Sequence, residues 1–191
     1  MCASRVRRSV VAIATAGLLG FAGVGCTSSD DPPEPAPLPT ESPGPSGSEL
    51  ESAPTPPPEA KEKSRKGAKT FIRAYIETVN YATRSGDVAP LRAMATSECQ
   101  SCTDVADRIE SVYDAGGSIE SKGWRISSIA PVPGQPSLRP VIDIGLLLSP
   151  QVVVASAGAE PERFDGGRLP ATFHMQWSAG EWKVARWDRA A

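Results

Sequence analysis

The 191-residue chain is poor in the groups from which many functional sites are built. It holds a single histidine, His174. A zinc centre wants four nitrogen or sulfur ligands, so no metal and no metal-based cofactor is expected. Charge of either sign is scarce in excess: the formal net charge is −2, and from Gly67 onward 13 Lys and Arg stand against 14 Asp and Glu. Nucleic-acid binding rests on a surplus of phosphate-neutralising cations, so a nucleic-acid partner is not expected either. Long apolar runs are lacking too. The run at 10–22, broken only by Thr15, is too short to cross a bilayer as a permanent helix. Cysteine is limited to four residues: Cys2, Cys26, Cys99 and Cys102.

What is present divides the chain into three materials. Arg5, Arg7 and Arg8 precede the apolar run, and small residues follow it up to Cys26. This order reads as a cleaved export signal. The stretch Gly23-Val24-Gly25-Cys26 resembles the end of a bacterial lipoprotein signal, in which small residues precede the cysteine to be lipidated. Val24 and Gly25 fit that pattern; Gly23 stands where an aliphatic residue is usual. The resemblance implies a signal peptide at 1–25 and acyl chains, palmitate among them, on Cys26. Two or more chains give stable membrane attachment. The expected location is the extracytoplasmic face of the cell membrane, lipid-anchored. An ordinary secreted protein with a free cysteine and an uncleaved leader are the alternatives.

Residues 27–66 hold eleven prolines in forty positions, with almost no aliphatic or aromatic side chains. Such a stretch cannot bury enough apolar area to offset its ordering entropy, and a disordered tether is expected. Its fully extended reach is about 120 Å. Residues 67–191 are left for one globular domain.

The domain reads as helices followed by strands. Phe71, Ile72, Tyr75, Ile76, Val79 and Ala82 form one apolar stripe of a first helix over 61–84. Gly86 is expected to end it, and Asp87 to cap a short second helix with Val88, Leu91, Met94 and Ala95 inward. Ser101 or Thr103 would cap a third helix with the stripe Val105, Ile109, Val112 and Tyr113, ended by Gly116-Gly117. Strands are expected over 124–130, 139–148, 151–157, 169–177 and 182–187, the last two joined by a hairpin that pairs Trp177 with Trp182. The layout is α+β: three N-terminal helices packed on an antiparallel sheet of about four to five strands.

Five local patterns together carry a resemblance. They are Phe71-x3-Tyr75-x4-Asn80-Tyr81, Ser85-Gly86-Asp87-x3-Leu91, Cys99-x2-Cys102, Gly116-Gly117 and Gly123-Trp124. The combination resembles an uncharacterised family of actinobacterial lipoproteins that share a domain of unknown function. The resemblance spans most of 66–187. It implies a fold similar to the curved, cone-shaped nuclear-transport-factor-two-like superfamily, which includes both enzymes and inert binding modules.

Few residues suggest chemistry. Cys99 and Cys102 are expected to form a structural disulfide, an even cysteine count being usual in exported domains. A thiol–disulfide redox pair is the alternative reading. His174 is expected on the wet face of a strand. Asp143 either faces solvent by simple alternation or lines a pocket inside the cone. Tyr75, Asn80, Tyr81 and Trp124 are further pocket or surface candidates. The function expected is a membrane-anchored, non-catalytic module that binds a small ligand or a cell-envelope protein; the alternatives are an enzyme using the cone interior and a thiol redox protein.

Overall fold

The computed structural model describes residues 52–190; the expected signal peptide, Cys26 and most of the expected tether lie outside them. Regular structure starts earlier than the expected boundary at Gly67. A 3-10 turn, Pro58–Lys61, buries Ala60. The carbonyl of Glu62 then accepts from the indole Nε1 of Trp182 at 2.7 Å. The end of the Pro-rich segment is thus part of the fold, because Trp182 is fully buried and its N–H needs an acceptor.

Helix α1 runs Arg65–Ser85, four residues later than the expected start. Ser64 sets the start: its hydroxyl accepts from the Gly67 N–H at 3.0 Å. The expected stripe faces inward, and Gly86 ends the helix at φ 77°. A Cβ there would meet the Tyr113 ring at 2.5 Å, so both conformation and space require glycine. Helix α2, Ala89–Ala93, follows; Asp87 accepts from the Ala89 N–H at 3.1 Å. Helix α3 is Gln100–Asp114. Its cap is not Ser101 or Thr103 but Cys99, whose sulfur accepts from the Cys102 N–H at 3.3 Å.

Seven strands follow: β1 Ser118–Ser121, β2 Trp124–Pro131, β3 Val141–Leu148, β4 Gln151–Val154, β5 Glu162–Phe164, β6 Gly167–Ser178 and β7 Glu181–Arg189. They form two antiparallel sheets in place of the single sheet expected, ordered β1-β4-β5 and β2-β3-β6-β7. β1 and β5 escape the sequence pattern because they are four and three residues long and mostly polar. The third expected strand stops at Val154, where Gly117 packs against the carbonyl.

The β6–β7 hairpin pairs Trp177 with Trp182 as expected, and Ala179 and Gly180 both take positive φ in its turn. β7 is the end strand of its sheet. Its outer edge is covered at Val184, which exchanges backbone hydrogen bonds with Met94 and Thr96. The core lies where α1 meets β3, β6 and β7, around Tyr75, Ile72, Ile142, Phe173, Trp182 and Val184. No helix among the described residues is long and apolar enough to cross a membrane.

Candidate functional site

Helix α3 is held at both ends. At its start, Cys99 and Cys102 are joined by a disulfide, and the Ser101 hydroxyl accepts from the Trp187 N–H of β7 at 3.1 Å. At its end, the Tyr113 hydroxyl reaches the carbonyls of Thr83 and Arg84 on α1 at 2.7 and 3.0 Å. Between these ties the helix presents two apolar faces. Cys102 and Ala106 are small and buried against the core. Val105, with Ile109 and Val112 beside it, faces a cavity of about 610 Å³.

The cavity lies between α3, the second half of α1, and strands from both sheets. Val79 of α1, Ile119 of β1, Val153 of β4, Trp124 of β2, Leu148 of β3 and Leu169 of β6 line it. Trp187 closes one side, stacked on Phe173 with centroids 5.9 Å apart and planes 11° from parallel. The indole Nε1 of Trp187 is buried and has no hydrogen-bond partner among the described residues. Four charged residues line the cavity, Asp104 and Arg108 on α3, Asp165 after β5, and Arg189 on β7. All four are exposed, so they stand at the mouth and not in the interior. Phe164 stands with them, 40% exposed.

The residues singled out from the sequence take different places. Trp124 lines the cavity. Asn80 holds it there: the side-chain oxygen accepts from the Trp124 N–H at 2.7 Å, and the amide donates to the Trp124 carbonyl at 2.9 Å. Gly123 makes this possible, since at φ 85° a Cβ would lie 2.5 Å from the Asn80 oxygen. Tyr75 is in the core, edge-on to Phe173, with its hydroxyl buried and unpartnered among the described residues. Burial pushes its pKa well above the usual tyrosine value. Tyr81 is buried and donates to Asp87 at 3.1 Å. Asp143 lies outside the cavity on the exposed face of the sheet, where it accepts from Thr172 at 2.7 Å. His174 lies beyond it on β6, beside Arg186 at 3.0 Å and Asp188 at 3.5 Å. The structure therefore brings Asn80 and Trp124 together and leaves Tyr75, Tyr81 and Asp143 apart.

Most of the cavity wall is absent from the sequence reading. Val105, Ile109 and Val112 were legible as an apolar stripe, but a stripe looks the same against a packed core and against a void. The i, i+4 pair Asp104 and Arg108 beside that stripe is the one signal that its edge is wet. Among the described residues no group of three or more His, Cys, Asp or Glu is placed to hold a metal ion.

No curated protein matches the sequence. Among solved structures, the intermembrane-space region of the chloroplast protein ARC6 is similar, with a TM-score of 0.50 at 12% identity; 66% of this chain and 95% of that one are covered. That likeness shows a shared fold. A chain named Rd1NTF2_05 is similar at a TM-score of 0.37 and 13% identity, covering 64% of this chain and 99% of that one. The profile of a family of unknown function, DUF6318, matches residues 52–188, which takes in the 3-10 turn, every helix and nearly all of β7. The chain belongs to that family, as the motifs at Phe71, Cys99 and Gly123 led one to expect of a domain of unknown function.

Proposed function

We propose that the chain is a membrane-anchored, extracytoplasmic lipoprotein whose folded domain binds a small, largely apolar ligand in the cavity beside α3. The anchor is lipid on Cys26, and the Pro-rich segment spaces the domain from the bilayer. The observation that supports ligand binding is the cavity itself. Its volume of about 610 Å³ is within the range of small-molecule sites, and apolar side chains dominate its walls. Binding is favoured over catalysis because the charged residues of the site are exposed at its mouth. Catalytic sites shift pKa values by burying ionisable groups together. A structural role for the disulfide is favoured over a redox role because Cys99 and Cys102 are 0% and 4% exposed.

Two measurements test this reading. Mass spectrometry of the mature N-terminus should find acyl chains on Cys26; an unmodified Cys26 contradicts the anchor. An environment-sensitive apolar fluorophore should bind the full chain at one saturable site, and Val105→Trp should abolish that binding by filling the cavity. Absence of saturable binding to the parent chain contradicts the ligand-binding role.

A further inference from the structure

We infer that the cavity takes a single-chain amphiphile with an anionic head, a carboxylate or a phosphate monoester, held at the mouth by Arg108 and Arg189. This rests on the ligand-binding reading above and adds the chemistry of the ligand. The walls and the mouth differ in kind. Inside, Val79, Val105, Ile109 and Leu169 offer only apolar contact to whatever enters. At the mouth, Phe164 continues the apolar surface outward, although a phenylalanine 40% exposed is uncommon in this domain: only Leu138 matches it among the large apolar side chains described. An apolar path from solvent to interior suits a chain that enters end-on.

The head is assigned from the charges around that path. Arg108 comes from α3 and Arg189 from the end of β7, so they reach the mouth from two different elements. Neither makes an ion pair with a carboxylate among the described residues, whereas Arg92 of α2 is taken up by Asp107 and Glu110 at 2.7 Å each. Of the two acids at the mouth, Asp104 is engaged by the Gln100 amide at 2.7 Å. The other, Asp165, follows β5 and makes no ion pair with either arginine among the described residues. A guanidinium presents a planar fork of donors that matches the oxygens of a carboxylate or phosphate. A buried chain with its anion between two such forks satisfies both parts of the site at once.

The test uses the full chain carrying Cys26→Ser, so that no attached lipid competes, and titrates dodecanoate, dodecyl phosphate and dodecanol. At least one of the two anions should bind about tenfold or more tightly than the alcohol, the advantage expected of charge-assisted hydrogen bonds. The tighter of the two names the head. Arg108→Gln with Arg189→Gln should bring anion and alcohol to similar affinity while leaving the alcohol unchanged; both side chains are exposed, so the variant folds. Equal binding of anions and alcohol by the parent chain, or an anion preference that survives the double variant, overturns the assignment of the head while leaving the cavity reading in place. If none of the three ligands binds, the cavity reading falls and this inference with it.

Discussion

At the scale of single residues, Asn80 is the side chain on which the cavity most depends without being part of its lining. It replaces strand partners for both backbone groups of Trp124, where β2 begins. Asn80→Ala leaves two backbone groups in a half-buried position without partners. The expected loss is about 2 kcal/mol in chemical denaturation. A variant within 0.5 kcal/mol of the parent, on the order of measurement scatter, would show that the bracket is not needed. Tyr75 makes the opposite case. Its hydroxyl is buried with no partner among the described residues, so Tyr75→Phe should leave stability at neutral pH unchanged or slightly raised. Its raised pKa adds a pH signature. The folded state keeps the phenolic proton at a pH where the unfolded chain, with a value near 10, loses it. Stability from this group is complete below pH 10 and is lost as pH rises beyond it, by about 1.4 kcal/mol per pH unit. Denaturation measured from pH 8 to 11 should show that alkaline fall in the parent and a shallower one in Tyr75→Phe. Tyr113, also raised by burial, contributes part of what remains. The sequence made Asn80 and Tyr75 conspicuous but not their roles, because each depends on a partner far away in the chain, Trp124 and Phe173.

At the scale of elements, α3 decides whether there is a cavity at all. It is stitched to α2 by way of Arg92, to β7 by Ser101, and to α1 by Tyr113. The disulfide at its start fixes the turn that aims Ser101. Since both cysteines are buried, a reductant should leave the bond intact in the folded protein. Thiol labelling after dithiothreitol should appear only with denaturant; rapid labelling under native conditions would mark the pair as exposed to exchange and favour a redox role. Replacing both cysteines by alanine should cost about 2 kcal/mol, the value for so short a loop in the chain-entropy model. Element by element, periodicity served well where segments are long. The stripe of α1 and the alternation along β6 and β7 lie in elements of nine or more residues each. It failed for β1 and β5, where Ser118–Ser121 and Glu162–Phe164 give too few positions to establish a period. It misplaced the cap of α3 because a sulfur does the work usually given to a hydroxyl, which frees Ser101 to hold Trp187.

At the scale of the molecule, the fold reaches into what composition marks as tether. Ser52 to Lys66 look like linker because of their prolines and charges, yet the 3-10 turn buries Ala60 and Glu62 completes Trp182. Composition is a property of a window; one buried indole seeking an acceptor is a property of the whole chain. Deleting 52–66 removes that acceptor, the Ser64 cap and the burial of Ala60. The expected loss is roughly 3 kcal/mol, or about 10 °C in the melting temperature of a domain this size. An unchanged melting temperature would restore the boundary to Gly67. The cavity is likewise a property of the whole, since its walls come from α1, α3 and both sheets.

The central claim is that this cavity is where a ligand sits, and tryptophan fluorescence tests it most directly. Trp124 and Trp187 line the cavity; Trp177 and Trp182 pack edge to face with each other in the β6–β7 hairpin. A brominated fatty acid quenches indoles that it touches. The account predicts quenching of the full chain on saturation, and its loss in Trp124→Phe with Trp187→Phe, where the hairpin pair still fluoresces. Quenching that persists undiminished in that variant would contradict it.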